Sequence, residues 1–144
     1  RRERTQVTVS NPSSCHFGNV HPILDVLCVD KKGTPVPVEV KTGKVRRLRK
    51  MNKNDTGAKG ALSAFADTLA LRHHAQLAVQ IECLRNWGGR GKGFLLYVQS
   101  CKKLGGNPFR LKLTKINKDV LNAVAQTDAT PPLITTTPRS SETA

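Results

Sequence analysis

The sequence predicts a mixed α/β domain in which helices flank a small central sheet. Short apolar or alternating segments bounded by turn residues are typical of strands, and apolar residues every three or four positions are typical of helices. These segments follow one another as strand, strand, strand, helix, strand, strand, helix, an order that favours a mixed sheet. The 144 residues suffice for one core. We place this single domain in residues 1–126 and expect residues 127–144, which have linker composition, to be disordered.

Two strands are predicted before residue 31. The segment TQVTVS (5–10) reads as a short strand that the turn residues NPSS end. The segment ILDVLCVD (23–30) is apolar on both faces except for Asp25. Because burial of an unpaired carboxylate is costly, Asp25 is expected to have a partner or a metal ion beside it. A structural carboxylate bonded to a backbone amide is the alternative.

The third strand, VPVEVKT (36–42), alternates valines with other residues, which is the period of a half-buried strand. The turn DKKGTP before it, in which Gly33 is free to take a positive φ, predicts a hairpin with the preceding strand. Pro35 and Pro37 favour an edge position or a late start of the hydrogen-bond ladder.

The remaining elements follow a basic segment. Residues 43–60 are basic and short of apolar residues, and we expect a mobile loop there. A helix is predicted for residues 61–84 and strands for FLLYVQS (94–100) and FRLKLTKI (109–116). A final short helix is predicted with Asn117 as its N-cap.

The net charge of the chain favours a polyanionic partner. Lys and Arg number 24 against 10 Asp and Glu, which gives a formal charge of +14. Such a charge points to nucleic acid first and to an anionic membrane surface second. Aromatic residues make up 4% of the chain, which is few for a base-stacking platform. The sequence shows no signal peptide and no apolar run long enough to span a bilayer, so we expect no membrane association.

The four cysteines indicate neither a zinc site nor a disulfide framework. Cys15, Cys28, Cys83 and Cys101 form no C-x-x-C pair. Cys28 and Cys83 lie in apolar runs, where buried free thiols are common. This pattern predicts a protein of a reducing intracellular compartment rather than a secreted one.

Three residues of the predicted hairpin combine into a candidate catalytic site. Glu39 and Lys41 point to the same face of their strand, and the hairpin places Asp25 near Glu39. Two carboxylates at this range attract a hard divalent cation, and the carbonyl of Val40 offers a further oxygen ligand. Lys41 then lies where an ammonium orients a water or stabilises developing phosphoryl charge. The pattern predicts metal-assisted phosphodiester hydrolysis, with a solvated Glu/Lys pair as the alternative for so short a motif.

This arrangement resembles the PD-(D/E)xK nuclease superfamily. Asp25 precedes Glu39 by fourteen positions, and VEVKTG is similar to the RecB and lambda-exonuclease branches. Those branches carry a glutamine motif on a helix that faces the metal site, followed by another strand. The segments HHAQLAVQIECL, with Gln76 and Gln80, and GKGFLLYV match this order. The resemblance covers roughly residues 18–100.

The resemblance implies a restriction-endonuclease-like core and a nuclease that depends on Mg²⁺ or Mn²⁺. In the family pattern Asp25 and Glu39 are metal ligands and Lys41 is catalytic. Gln76 positions substrate or water, unless it is an ordinary polar residue on an exposed helical stripe. The motifs fit DNA better than RNA as the partner, and both exonuclease and endonuclease activity stay open.

Basic residues after the third strand are the predicted nucleic-acid contacts. The run from Lys44 to Lys53 either binds phosphates beside the site or serves as a nuclear-import signal, and a merely solvated run is the third interpretation. The predicted nucleic-acid-binding residues are Lys44, Arg46, Arg47, Arg49, Lys50, Lys53, His73 and Gln80.

The second candidate function is a non-catalytic basic nucleic-acid-binding module with the same fold and an incomplete site. A carboxylate that many family members carry on a helix before the first strand has only Glu3 as a counterpart here. For a complete site, we expect a segment before Arg1 or another chain to supply this carboxylate.

Overall fold

The described residues of the chain, in a computed structural model, are 7–9, 21–50, 60–100 and 109–126. The strands are β1 (Val7–Thr8), β2 (Ile23–Leu24), β3 (Val26–Val29), β4 (Pro35–Thr42), β5 (Phe94–Ser100) and β6 (Phe109–Lys115), and the helices are α1 (Leu69–Leu84) and α2 (Lys118–Ala125). Several predictions fall outside the described residues: those for Lys53, Cys15, Cys101, the loop residues 51–59 and the tail 127–144.

Four strands form one mixed sheet in the order β3-β4-β5-β6. β3 and β4 are antiparallel, β4 and β5 are parallel, and β5 and β6 are antiparallel. β1 and β2 form a separate antiparallel pair. The turn between β3 and β4 contains Gly33 at a φ of 81°, as predicted for the hairpin. The predicted mixed α/β class with a small mixed sheet is therefore confirmed. Neither described helix is long and apolar enough to cross a membrane.

The predicted continuous strand 23–30 is wrong, because it is divided at Asp25. β2 pairs with β1, β3 pairs with β4, and Asp25 lies in the bend between β2 and β3. The side chain of Asp25 takes the place of a ladder partner, since its Oδ2 accepts a hydrogen bond from the backbone N–H of Val40 at 3.0 Å. A carboxylate that satisfies a strand N–H competes with continued β pairing, and the ladder between β3 and β4 accordingly stops at Val26.

β4 lies inside the sheet, so the predicted edge position is wrong, and the predicted late start of the ladder is confirmed. Pro35 and Pro37 pair with β3, whereas pairing with β5 begins only at Val38. Because the N–H of Val40 points to the β3 side, strand alternation directs both proline nitrogens to the β5 side. β5 has not yet begun there, so the prolines remove no hydrogen bond from the ladder.

α1 begins at Leu69, and the predicted start at residue 61 is wrong. Thr68 has extended backbone angles, and its side chain accepts a hydrogen bond from the N–H of Leu71 at 3.3 Å. This is the geometry of an N-cap, which fixes the first turn of a helix. Gly60–Leu62 forms a separate 3-10 turn.

α2 packs against α1 and follows the N-cap that the sequence predicts. The side chain of Asn117 accepts hydrogen bonds from the backbone N–H groups of Asp119 and Val120. The backbone N–H of Asn117 donates to Nδ1 of His74 at 3.1 Å, which ties the start of α2 to α1. A Cβ on Gly93, just before β5, would meet the side chain of Ile81 at 2.6 Å, so glycine allows β5 to approach α1.

Alternation along the strands gives the sheet two different faces. The face towards α1 carries Glu39 and Lys41 of β4 and the buried Leu95 and Tyr97 of β5. The hydrophobic core lies between this face, α1 and α2; its most buried large members are Tyr97, Leu24, Leu77, Ile81, Leu95 and Val120. On β6 the opposite face exposes Phe109, Leu111 and Leu113 by more than half.

The two described cysteines lie in different environments. Cys83 of α1 is a buried free thiol, as predicted. Cys28 is a free but exposed thiol, so its predicted burial is wrong. It lies on the edge strand β3 and pairs with Val36, which places its side chain on the sheet face that α1 does not cover.

Candidate active site

The structure brings four predicted site residues together where β4 packs against α1. Glu39 and Lys41 project from β4 towards the helix, and Gln76 projects from α1 towards them. Asp25 reaches the same strand from the bend before β3 through its hydrogen bond to the N–H of Val40. Its negative charge acts on Glu39 and raises the pKa of that carboxyl. Strand alternation and the β3–β4 hairpin are the local features that produce this proximity.

Glu39 is a buried carboxylate with both oxygens engaged. Its exposed fraction is 4%. Oε1 accepts a hydrogen bond from Nε2 of Gln80 at 3.0 Å, and Oε2 lies 3.3 Å from Nζ of Lys41. Burial raises the pKa of Glu39, while the Gln80 hydrogen bond and the Lys41 charge oppose part of that rise. The site therefore holds a carboxylate at a position that disfavours its charged form.

Lys41 is held between a carboxylate and an amide. Its Nζ donates to Oε1 of Gln76 at 2.9 Å and forms the longer contact with Glu39. The Lys41 side chain is 20% exposed, and Gln76 lies at the surface of α1. The ammonium is therefore fixed in direction yet open to solvent on one side, as a group that meets an external anion must be.

Gln80 supports Glu39 from inside the protein, and the structure corrects its predicted role as a nucleic-acid contact. Gln80 is 2% exposed, so it presents no surface to a nucleic acid. Its Nε2 donates to Glu39, and its Oε1 is buried without a hydrogen-bond partner among the described residues. The spacing of Gln76 and Gln80, one helical turn apart, was the sequence signal that both face β4.

His73 and Tyr97 form a pair beside Lys41 that sequence reasoning found only in part. Nδ1 of His73 lies 3.0 Å from the hydroxyl of Tyr97. Burial, followed by the charges of Lys41 and Arg46, lowers the pKa of His73 to about 4. Burial raises the pKa of Tyr97, which also forms a hydrogen bond with the backbone of Arg46. Tyr97 was missed because its place opposite Lys41 depends on the parallel pairing of β4 with β5.

The described part of the predicted basic loop runs from β4 back across the start of α1. Lys44, Arg46 and Arg47 line a cleft of about 440 Å³ together with residues 68–70. All three are exposed. Further along, the carbonyl of Arg49 accepts a hydrogen bond from the N–H of Ala66, and Lys50 forms a β-bridge with Phe65. The predicted phosphate contacts thus lie on the same side of the sheet as Lys41.

The donor set suits a hard divalent cation. Among the described residues, Asp25 makes only the hydrogen bond from its Oδ2 to Val40, which leaves Oδ1 open as an oxygen ligand. Glu39 supplies a second carboxylate, and Mg²⁺ is commonly held by one or two carboxylates with water completing the shell. No group of three His, Cys, Asp or Glu side chains converges within the described ranges. The fit therefore rests on two carboxylates and a backbone carbonyl.

Comparisons of the chain with models of known protein families, with curated proteins and with solved structures found no match.

Proposed function

We propose that this protein is a divalent-metal-dependent nuclease that hydrolyses DNA phosphodiester bonds. The observation that carries the proposal is the placement of the Lys41 ammonium, 3.3 Å from the buried Glu39 carboxylate and 2.9 Å from the Gln76 amide. A buried carboxylate with a raised pKa costs stability, and such groups cluster at functional sites. The net charge of +14 and the basic segment beside the site favour a polyanionic substrate.

The proposed cofactor is Mg²⁺ or Mn²⁺, held by Asp25, Glu39 and the carbonyl of Val40. When bound, the cation would lower the pKa of a coordinated water and neutralise charge on the phosphate. Lys41 stands beside this position, and its contact with Oε2 of Glu39 is long enough to exchange for a ligand.

The side chains of the chain then divide the work of hydrolysis. Lys41 directs a positive N–H donor at the attacking water or at the phosphate oxygens, where charge develops. Gln76 holds the Lys41 ammonium in place, and Gln80 fixes the orientation of Glu39. Hydrolysis adds water across the P–O bond, so the water oxygen joins phosphorus and a proton reaches the leaving oxygen. Lys44, Arg46 and Arg47 bind the flanking phosphates.

We also propose that the fold is the restriction-endonuclease-like core of the PD-(D/E)xK superfamily. Support comes from the E-x-K pair on an inner strand of a mixed sheet, with Asp25 on the hairpin partner side. The helix that follows presents Gln76 to the lysine, in the order of the family motif.

A non-catalytic nucleic-acid-binding module is the second candidate. One observation favours it: both oxygens of Glu39 already have partners, and only two carboxylates converge within the described residues. A binder without catalysis has no reason to hold Mn²⁺. Calorimetric titration with Mn²⁺ of the wild type and of Asp25→Asn therefore separates the two candidates, since only a nuclease site loses metal affinity in the variant.

The proposed activity is tested by a cleavage time course on end-labelled single- and double-stranded DNA with Mg²⁺, Mn²⁺ or EDTA. We expect products that require metal and disappear in Glu39→Ala, and the product ladder distinguishes end-first from internal cutting. Asp119→Ala, which removes an exposed carboxylate on α2, is the matched control and should cleave normally. Products that persist in Glu39→Ala, or that are absent under all conditions from the wild type, would overturn the proposal.

A further inference from the structure

Strand β6 carries two cations on the same sheet face as Lys41. In the sheet register Lys41 pairs with Tyr97 of β5, and Tyr97 pairs with Lys112 of β6. Directly paired residues point to the same face of a sheet. Arg110 lies two residues from Lys112 along β6, so it also points to this face. The register thus places Lys41, Lys112 and Arg110 on one surface, although about seventy residues separate Lys41 from Lys112 in sequence.

The two cations on β6 are free to meet an external anion. Arg110 and Lys112 are both exposed. None of the ion pairs formed within the described part of the chain includes either of them. The neighbouring apolar residues Leu111 and Leu113 point to the opposite face. The strand therefore separates its charges onto the Lys41 side and its apolar residues onto the other.

The spacing fits several phosphates of one nucleic-acid strand. Adjacent strands lie about 4.8 Å apart, so the backbone of Lys112 lies roughly 10 Å from that of Lys41. Tyr97 lies between them, and the backbone of Arg46 is hydrogen-bonded to its hydroxyl. The basic segment after β4 thus reaches the gap between Lys41 and Lys112. Positive charge then continues from the proposed site to the edge of the sheet.

We infer that Arg110 and Lys112 form a second phosphate-binding surface, which holds the nucleic-acid backbone on the β6 side of the Lys41 site. The inference rests on the proposed function for the nature of the ligand, and it adds a contact that the E-x-K motif does not contain. The competing explanation is that these charges only protect the edge strand from pairing with another chain. That explanation predicts no specific contribution to DNA binding.

Lys115 provides a matched control on the same strand. It is exposed, but it pairs with Phe94 and points to the face opposite Lys112. The double variant Arg110→Ala/Lys112→Ala is compared with Lys115→Ala/Lys118→Ala, which removes the same charge elsewhere. Binding of a fluorescent duplex is measured by anisotropy in EDTA, between about 50 and 200 mM salt. Circular dichroism melting checks that both variants are folded.

We expect the slope of log affinity against log salt to fall by about 0.9 for each lost phosphate contact in Arg110→Ala/Lys112→Ala. The control should keep the wild-type slope. Equal slopes in the two double variants would overturn the inference, whatever the cleavage assay shows. A wild type that does not bind DNA would overturn the inference together with the proposed substrate. Binding with the expected slope change but without cleavage would support this surface and count against the nuclease proposal alone.

Discussion

The side-chain amide of Gln80 donates a hydrogen bond to the carboxylate of Glu39, with 3.0 Å between Nε2 and Oε1, inside the protein. The two side chains come from α1 and β4, so this contact joins the helix to the sheet at the candidate site. The amide oxygen of Gln80 is buried and has no partner among the described residues. A buried unpaired carbonyl lowers stability, so the arrangement favours the position of Glu39 over the stability of the fold.

The variant Gln80→Leu tests whether this contact serves function. Loss of a hydrogen bond to a charged group costs about 1.5–3 kcal/mol, and removal of an unpaired buried polar atom returns about 1–3 kcal/mol. The free energy of unfolding should therefore change by less than about 1.5 kcal/mol. Cleavage should fall about 10- to 100-fold, as for other residues that orient a metal ligand.

Urea unfolding and the metal-dependent cleavage rate measure the two effects of Gln80→Leu separately. Gln126→Leu, a change at an exposed position after α2, controls for the substitution itself. Wild-type cleavage by Gln80→Leu would show that Gln80 does not position Glu39.

Glu39→Gln should make the protein more stable at neutral pH while it abolishes cleavage. Because burial raises the pKa of Glu39 above its ordinary value of 4.5, the folded chain binds this proton more tightly than the unfolded chain. The contribution of Glu39 to stability is therefore fully present below pH 4.5 and is lost as the pH rises through the folded-state pKa. The neutral amide of the variant escapes this loss.

Thermal unfolding of the wild type and Glu39→Gln across an acid-to-neutral pH series tests this sign. The Tm difference should favour the variant at neutral pH and narrow in acid. A variant less stable than wild type at pH 7 would show that Lys41 and Gln80 more than compensate the burial of the charge.

The candidate site could be predicted from sequence where its geometry is local. Alternation along β4 alone places Glu39 and Lys41 on one face, and the short hairpin brings Asp25 to the same strand. The helical turn between Gln76 and Gln80 likewise directs both to one side of α1. These relations need only the period of an element or the length of a turn.

The features that sequence reasoning missed depend on pairing between distant segments. Tyr97 lies beside Lys41 because β5 pairs with β4 in parallel, and Lys112 joins them through β6. No local pattern fixes such a register. The buried role of Gln80 also depends on how α1 settles on the sheet, which periodicity does not reveal for a polar residue. The bend at Asp25 arises because its side chain, rather than its backbone, meets Val40.

Lys41→Ala should abolish cleavage and leave most DNA binding intact. A positioned donor that stabilises transition-state charge contributes about 10²- to 10³-fold to the rate, whereas one partly screened cation contributes little to affinity among many. Gln76→Ala should show a smaller loss, because it releases the Lys41 ammonium without removing it.

Single-turnover cleavage and anisotropy binding on the same duplex separate these effects. Lys32→Ala in the β3–β4 turn, an exposed lysine outside the site, is the charge-matched control. Equal loss of cleavage and binding in Lys41→Ala would contradict a catalytic role for this lysine.

Arg46→Ala/Arg47→Ala should weaken binding in a salt-dependent way. Both arginines line the cleft beside the start of α1, and each phosphate contact they make contributes about 0.9 to the slope of log affinity against log salt. At saturating DNA, the cleavage rate should stay within about threefold of wild type, because Lys41 and Glu39 are untouched. Lys31→Ala/Lys32→Ala removes the same charge from the β3–β4 turn and should leave the slope unchanged. If both double variants share the wild-type slope, the basic segment does not bind phosphate.

His73 should remain neutral down to a pH of about 4, where burial and the charges of Lys41 and Arg46 place its pKa. An NMR titration of the His73 ring protons measures this midpoint directly. Since the unfolded chain takes up a proton on this residue near pH 6.5 and the folded chain only near pH 4, stability falls as the pH is lowered through that window.

The cause of the His73 shift is tested by removing one positive charge at a time. Arg46→Ala should raise the midpoint, because the folded protein then repels the imidazolium less, while the backbone contact of Arg46 with Tyr97 persists. Lys115→Ala removes a charge from the opposite face of the sheet and should leave the midpoint unchanged. A wild-type midpoint near 6.5 would mean that His73 is solvated, and the hydrogen bond between its Nδ1 and the Tyr97 hydroxyl would then not form in solution.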